Sequence, residues 1–202
     1  GHTLSDRSSG RLMCDLMEKM DRKALVAAAR ALAPLASVEL LAQLAAIPAG
    51  DSATVEGIEG TVVRRIATAG GDIVIGGPEK NIYKLDAMRG VNVVIDLGGD
   101  DIYYEGTCSL ARPVLIVIDL DGNDAYEGKQ PGIQGGAVLG VSMLLDRSGN
   151  DVYRANDVAQ GSCLGGVGIL VDCAGDDAYV GVRRMQGQAI GGLGMLIDRE
   201  GN

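Results

Sequence analysis

Asp146-Arg-Ser-Gly-Asn-Asp-Val-Tyr153 is the stretch that decides how the chain folds, because it recurs. The phrase Asp-x-x-Gly-(Asp/Asn)-Asp-x-Tyr also begins at Asp96, Asp119 and Asp172, and a further copy opens at Asp198. Successive copies lie 23, 27, 26 and 26 residues apart. A degenerate copy, Gly76-Gly-Pro-Glu-Lys-Asn-Ile-Tyr83, precedes them: Gly76 replaces the first Asp, Asn81 replaces the second, and Tyr83 is kept. Five residues rich in Val, Ile and Leu lead into each first Asp, at 91–95, 114–118, 141–145, 167–171 and 193–197. Farther upstream stand Gln134-Gly135, Gln160-Gly161 and Gln186-Gly187, then Gly140, Gly166 and Gly192.

A period of this length marks a chain built from stacked units. Five-residue apolar runs and 31 glycines do not fit two helices per unit, and a propeller blade needs ~40 residues or more. The pattern predicts a mainly β fold: a right-handed parallel β-helix, a solenoid of ~26-residue coils, spanning residues 51–202. Its three pieces per coil are the apolar strand, the Asp-x-Tyr strand and a Gln-Gly strand. Residues 1–50 read as a short α-helical cap or docking segment. Leu12, Met13, Leu16, Met17 and Met20 recur at helical spacing, Asp21 and Ser37 are N-caps, and Pro34 and Pro48 are stops. A stack of strands has an open end, and these helices are expected to cover it.

Parallel strands lie ~4.8 Å apart, so equivalent residues pile into ladders. Tyr83, Tyr103, Tyr126, Tyr153 and Tyr179 form one, as stacked rings filling a corner. Gln134, Gln160 and Gln186 are expected to link their amides along the axis. In the apolar strands, positions one, three and five before Asp are assigned inward. Position two (Val94, Val117, Leu144, Leu170, Leu196) is assigned outward, as an apolar stripe for the N-terminal helices or a second copy of the chain. Self-association is expected through that stripe or the open C-terminal coil.

Two further ladders are acidic: Asp96, Asp119, Asp146, Asp172 and Asp198, and beside it Asp101, Asp124, Asp151 and Asp177. Like charges ~4.8 Å apart repel by ~3.5 kcal/mol at an effective dielectric of ~20. Turn amides, raised pKa values or bound cations must offset this. Carboxylates with turn carbonyls are the hard oxygen set that suits Ca2+, so all nine aspartates are candidate metal ligands. Zinc lacks material: His2 is the only histidine, and Cys14, Cys108, Cys163 and Cys173 share no repeat position and read as apolar fillers. A net charge of −9 excludes non-specific nucleic-acid binding. The most apolar stretch, Ala24–Ala49, is interrupted by Arg30, Pro34 and Glu39, so no membrane span is expected.

Gly99-Asp-Asp-Ile-Tyr103, Gly122-Asn-Asp-Ala-Tyr126, Gly149-Asn-Asp-Val-Tyr153 and Gly175-Asp-Asp-Ala-Tyr179 resemble the Gly-x-Asp-x-apolar half of the repeats-in-toxin nonapeptide. In that family the Asp binds calcium between coils and the following large residue points inward. The likeness covers about five residues per coil. The period here is ~26 rather than nine, and the leading Gly-Gly survives only near Gly98-Gly99. The resemblance implies calcium at the acidic turns. More generally the chain is similar to larger right-handed β-helix proteins, many of which act on or hold polysaccharides.

The functional expectation is a non-enzymatic structural or binding module, calcium-stabilised and self-associating. The alternative is a polysaccharide-acting lyase or glycoside hydrolase, or an extracellular carbohydrate-binding module. Every coil carries the same acids, whereas catalysis needs one special constellation. The residues that break the repeat, Arg112, Lys129 and the Arg183-Arg184 pair, are the better candidates for catalysis; the basic pair could grip a carboxylated sugar, although such a pair is more often a solvated turn. Calcium filling points to an extracellular or cell-surface location, while unpaired cysteines point to a reducing compartment.

Overall fold

The computed structural model describes residues 4–48 and 54–201. The expected boundary at residues 50 and 51 lies outside the described residues, as does His2. From Val55 onward the chain winds as a parallel β-solenoid of three sheets. The largest has seven strands, among them Val91–Ile95, Val114–Asp119, Val141–Asp146, Val167–Asp172 and Leu193–Asp198. Its parallel register sets Asp119, Asp146, Asp172 and Asp198 side by side. A six-stranded sheet carries the Asp-x-Tyr segments, with Tyr83, Tyr103, Tyr126, Tyr153 and Tyr179 in register. The third sheet is small: Ala137–Val138, Cys163–Leu164 and Ala189–Ile190.

Glycine makes the coil spacing achievable at the turn. Gly149 has φ 156°, and a Cβ there would sit 1.6 Å from the Gly122 carbonyl oxygen of the coil below. Gly122 and Gly175 make the same approach to Gly99 and Gly149. No side chain fits where backbone stacks this closely on backbone. The tyrosine rings follow the same pitch, with centroids 4.7–4.9 Å apart and planes within 10° of parallel.

The facing of the apolar strands is the reverse of the sequence expectation. Val94, Val117, Leu144 and Leu170 lie inside the coil with the tyrosines, and Leu196 packs partly against them. They are therefore not available as a self-association stripe. The outward set is Ile95, Ile118, Leu145, Val171 and Ile197, with Val93, Ile116, Met143 and Ile169. Both sets are apolar, so alternation alone does not separate inside from outside. The first Asp decides: it bonds an interior tyrosine, and side chains two and four places before it share its side of the strand.

The N-terminal helices cover that outward set. α1 (Leu4–Glu18), α2 (Arg22–Leu32), a 3-10 turn (Ala33–Ala36) and α3 (Val38–Ala45) run in succession. Asp21 caps α2 by accepting from the Lys23 and Ala24 N–H, and Ser37 caps α3 through Leu40 N–H. Leu32 and Leu41 are buried against Ile118, Leu145 and Val171. The helices thus lie along a side of the solenoid rather than across its end. Two antiparallel strands, Ile58–Glu59 and Val62–Ile66, begin the stack instead.

Gln134, Gln160 and Gln186 are corner residues with φ of 53°, 54° and 57°, not strand residues. Their amides do not join one another. Gln134 Nε2 donates to the Tyr126 and Arg154 carbonyls, and Gln160 Nε2 to those of Tyr153 and Val180.

Gly149→Ala is expected to cost roughly 3 kcal/mol or more, because its Cβ meets backbone that cannot yield. Gly10→Ala, in α1 with open space around it, is expected to stabilise by about 0.5–1 kcal/mol. Urea unfolding midpoints check both. Equal midpoints for the two variants would contradict the close stacking of the turns.

Candidate metal site: a buried column of carboxylates

At the corner between the two large sheets the acidic ladders turn inward together. Asp96, Asp119, Asp146 and Asp172 are each 0% exposed, and Asp101, Asp124 and Asp151 no more than 2%. Each first Asp accepts a phenol hydrogen bond on Oδ2: Tyr126 to Asp146 at 2.6 Å, Tyr153 to Asp172 at 2.7 Å, and likewise Tyr83 to Asp96 and Tyr103 to Asp119. Oδ1 turns back onto its own loop, where Asp96 accepts Gly98 N–H at 2.7 Å and Asp146 accepts Ser148 N–H at 3.2 Å.

The second Asp ladder ties coil to coil. Oδ1 of Asp101, Asp124, Asp151 and Asp177 accepts the backbone N–H of the equivalent residue one coil earlier, at 2.6–2.8 Å. Oδ2 of the same four residues and Asp172 Oδ1 are buried and accept no hydrogen bond from any N–H or hydroxyl; the second-ladder carboxyls meet those of Asp96, Asp119, Asp146 and Asp172, with which a proton can be shared. Unsatisfied buried acceptors are rare and costly in folded proteins. A third ladder outside relieves itself: Asn123, Asn150 and Asp176 donate N–H to the side chains of Asp100, Asn123 and Asn150, each at 2.9 Å.

Carboxylate oxygens gather in three groups whose atoms lie within 4.8 Å of one another: Asp96–Asp101–Asp119, Asp124–Asp146–Asp151 and Asp151–Asp172–Asp177. Such groups could hold a metal ion. Asp198 stands apart: it is exposed, with Tyr179 Oη at 3.3 Å, and belongs to none of the three. Among the described residues no lysine or arginine forms an ion pair with the column. Among the described residues the ion pairs are Arg65–Asp72, Lys84–Glu59, Arg112–Asp86, Arg154–Glu127 and Asp157 with Arg183 and Arg184. Arg112, Arg183 and Arg184, which break the repeat, are therefore committed elsewhere: Arg112 also donates to the Leu85 and Thr107 carbonyls.

Without a cation, protons must take up the charge. Burial first, and the neighbouring carboxylates second, push Asp101 up to about 9 and Asp124 up to about 10. Burial likewise raises Asp119 and Asp151 to about 7 and Asp172 to about 6. Asp146 is held well above its usual range by burial and by Asp119.

Asn81 has a role the sequence marked only as a lapse in the repeat. Its Nδ2 donates to Asp96 Oδ2 at 2.9 Å and to Tyr83 Oη at 3.0 Å. A neutral amide therefore begins the column, and Gly76 leaves room for it: a Cβ there would strike Tyr83 Oη and Asp96 Oδ2.

Comparison with known protein families, with curated proteins and with solved structures returns no match. The likeness of the turns to repeats-in-toxin sequences is thus carried by the five-residue segments alone.

The raised carboxyls give a pH dependence of unusual sign. Unfolded aspartates titrate near pH ~4, whereas these stay protonated in the fold up to about 6–10. Folding then takes up protons across that interval, so stability is fullest near the lower limit and lost as pH rises through the folded values. For protein freed of metal by chelation, the urea midpoint is expected to fall steadily from pH 5 to pH 9. A midpoint that climbs over this range would show that the carboxylates are ionised and satisfied without cations.

Proposed function

We propose that this chain is a non-catalytic structural and binding module whose solenoid is completed by calcium ions held between coils. The observation that carries the reading is the set of buried carboxylate oxygens that meet only other carboxyls, recurring coil after coil with no basic side chain paired to them among the described residues. Spacing favours calcium over magnesium. Oxygens on opposite sides of Ca2+ lie ~4.6–5.2 Å apart, and those across Mg2+ only ~4.0–4.2 Å. The three groups gather oxygens within 4.8 Å of one another from coils stacked at the 4.7–4.9 Å of the ring spacing, a span the larger ion bridges more readily. It is fixed by backbone ladders and cannot contract around the smaller ion. Each carboxylate in a group offers one oxygen, and an ion there would bond the Oδ2 atoms that no N–H or hydroxyl reaches. A module of this kind carries rigidity and surface rather than chemistry, since the acids repeat and none is singled out.

Calcium is expected to raise the melting temperature of the chelated protein at pH 8, by an amount set by mass action, about 2.7 kcal/mol per site at a hundredfold excess over Kd. Magnesium at equal concentration is expected to give less than half the shift. Asp151→Asn separates the two roles of the column, because Asp151 belongs to two of the three groups. It is expected to stabilise the metal-free protein at pH 8 by removing a buried charge, and to lose most of the calcium response. Tb3+, close to Ca2+ in size, is expected to luminesce on excitation of the tyrosines. No melting shift at millimolar calcium, or an unaltered calcium response in Asp151→Asn, would sink the proposal.

A further inference from the structure

The tyrosine column has a chemistry that filling a corner does not require. Tyr83, Tyr103, Tyr126, Tyr153 and Tyr179 stack without a break, each ring on the next at 4.7–4.9 Å and within 10° of parallel. Phenylalanine would fill the same space, yet the chain contains none. Each ring instead carries a hydroxyl, and each hydroxyl has a carboxyl of its own. Tyr126 donates to Asp146 Oδ2 at 2.6 Å, Tyr153 to Asp172 Oδ2 at 2.7 Å and Tyr179 to Asp198 Oδ2 at 3.3 Å. Tyr83 and Tyr103 donate in the same way to Asp96 and Asp119. The first four rings are no more than 2% exposed, so water is withdrawn from them; Tyr179 is half-buried.

One-electron oxidation of a phenol needs this arrangement. A tyrosine that loses an electron becomes strongly acidic, and a base already hydrogen-bonded to its hydroxyl takes the proton without rearrangement. A ring stacked on the oxidised one is then placed to replace the electron. Repetition is no obstacle here: catalysis needs one special constellation, whereas conduction needs identical steps.

We infer that the column conducts oxidising equivalents, accepting an electron hole from a one-electron oxidant such as a peroxyl radical at Tyr179 and passing it ring to ring into the interior. Tyr179 gives an electron to the oxidant and its phenol proton to Asp198, and is left as a neutral phenoxyl radical. The peroxyl radical, with that electron and a proton from solvent, leaves as a hydroperoxide. Tyr153 next reduces the Tyr179 radical, Tyr179 recovers its proton from Asp198, and the Tyr153 proton crosses to Asp172 Oδ2. Each further step repeats the exchange, and no bond between heavy atoms forms or breaks. The hydrogen bonds shorten inward, from 3.3 Å at Tyr179 to 2.7 Å and 2.6 Å at Tyr153 and Tyr126. A stronger bond to the acceptor makes a phenol easier to oxidise, so the hole settles among buried rings, away from molecules with which an exposed radical couples. The inference does not depend on calcium, because the chain alone forms the stack and its hydrogen bonds.

Flash photolysis in chelator tests it, with photogenerated tris(bipyridyl)ruthenium(III) as the oxidant. The full chain carries Cys14→Ser and Tyr104→Phe, which remove exposed competing donors. A persistent tyrosyl radical with little dityrosine is expected. Tyr153→Phe strands the hole on Tyr179, and is expected to shorten the radical's lifetime and raise the dityrosine yield severalfold. Asp172→Asn keeps every ring but takes no proton. It is expected to slow the Tyr153 step about a hundredfold and so to give the same short-lived radical; it decides alone if the ring variant does not fold. The inference is overturned if radical lifetime and dityrosine yield in folded Tyr153→Phe or Asp172→Asn equal those of the parent.

Discussion

Everything in this molecule is subordinate to one distance, the spacing between hydrogen-bonded parallel strands. Once the chain winds in register, each residue meets its own kind above and below at ~4.8 Å. For glycine this is a requirement of the turn, since Gly122, Gly149 and Gly175 stack backbone on backbone. For tyrosine it is favourable, placing ring on ring in a dry interior. For aspartate it is a liability. The fold contains that liability by splitting the two oxygens of each carboxylate: one serves the architecture, bonding a tyrosine or a neighbouring N–H, and in the second ladder the other is left facing its counterparts.

That division explains why the column reads as a site rather than as turn chemistry. A turn aspartate is usually exposed and satisfied by backbone N–H groups, as Asp100 is in the outer ladder, where the Asn123 N–H of the next coil donates to it. The inner aspartates are sequestered, and seven of them are almost wholly withdrawn from solvent. Water cannot screen them, and among the described residues no side-chain cation pairs with them. Protons or small cations are what remain, and the same oxygens serve either.

Period and ladder were legible in the sequence because they depend on counting. The Asp and Tyr columns, the Asp21 and Ser37 caps and the succession of short helices follow from local signals that the structure carries through. Facing was not legible. Leu144 and Leu145 are equally apolar; only a tyrosine from another strand and helices from far away in the chain make one interior and the other a helix seat. Nor was the work of Gln134 and Gln160, whose left-handed backbone converts a would-be strand residue into a corner brace. The 23-residue step from Asp96 to Asp119 marks a shorter coil, but not that Arg112 would be spent on bonding Asp86 and the Leu85 and Thr107 carbonyls.

Asn81 gives the stack a direction. It closes the lower end of the carboxylate column with a neutral amide, while every second Asp reaches back to the backbone beneath it. Whole coils can therefore be duplicated between Asp119 and Asp172 without altering either neighbour's chemistry, because each unit presents the same faces above and below. A single inserted residue inside a strand has no such freedom: it would rotate aspartate out to the helices and an aliphatic side chain in. Lineages carrying this architecture should vary in length by entire turns of the solenoid or at the corners between strands, as the steps of 23, 27 and 26 residues already do, and not within a strand.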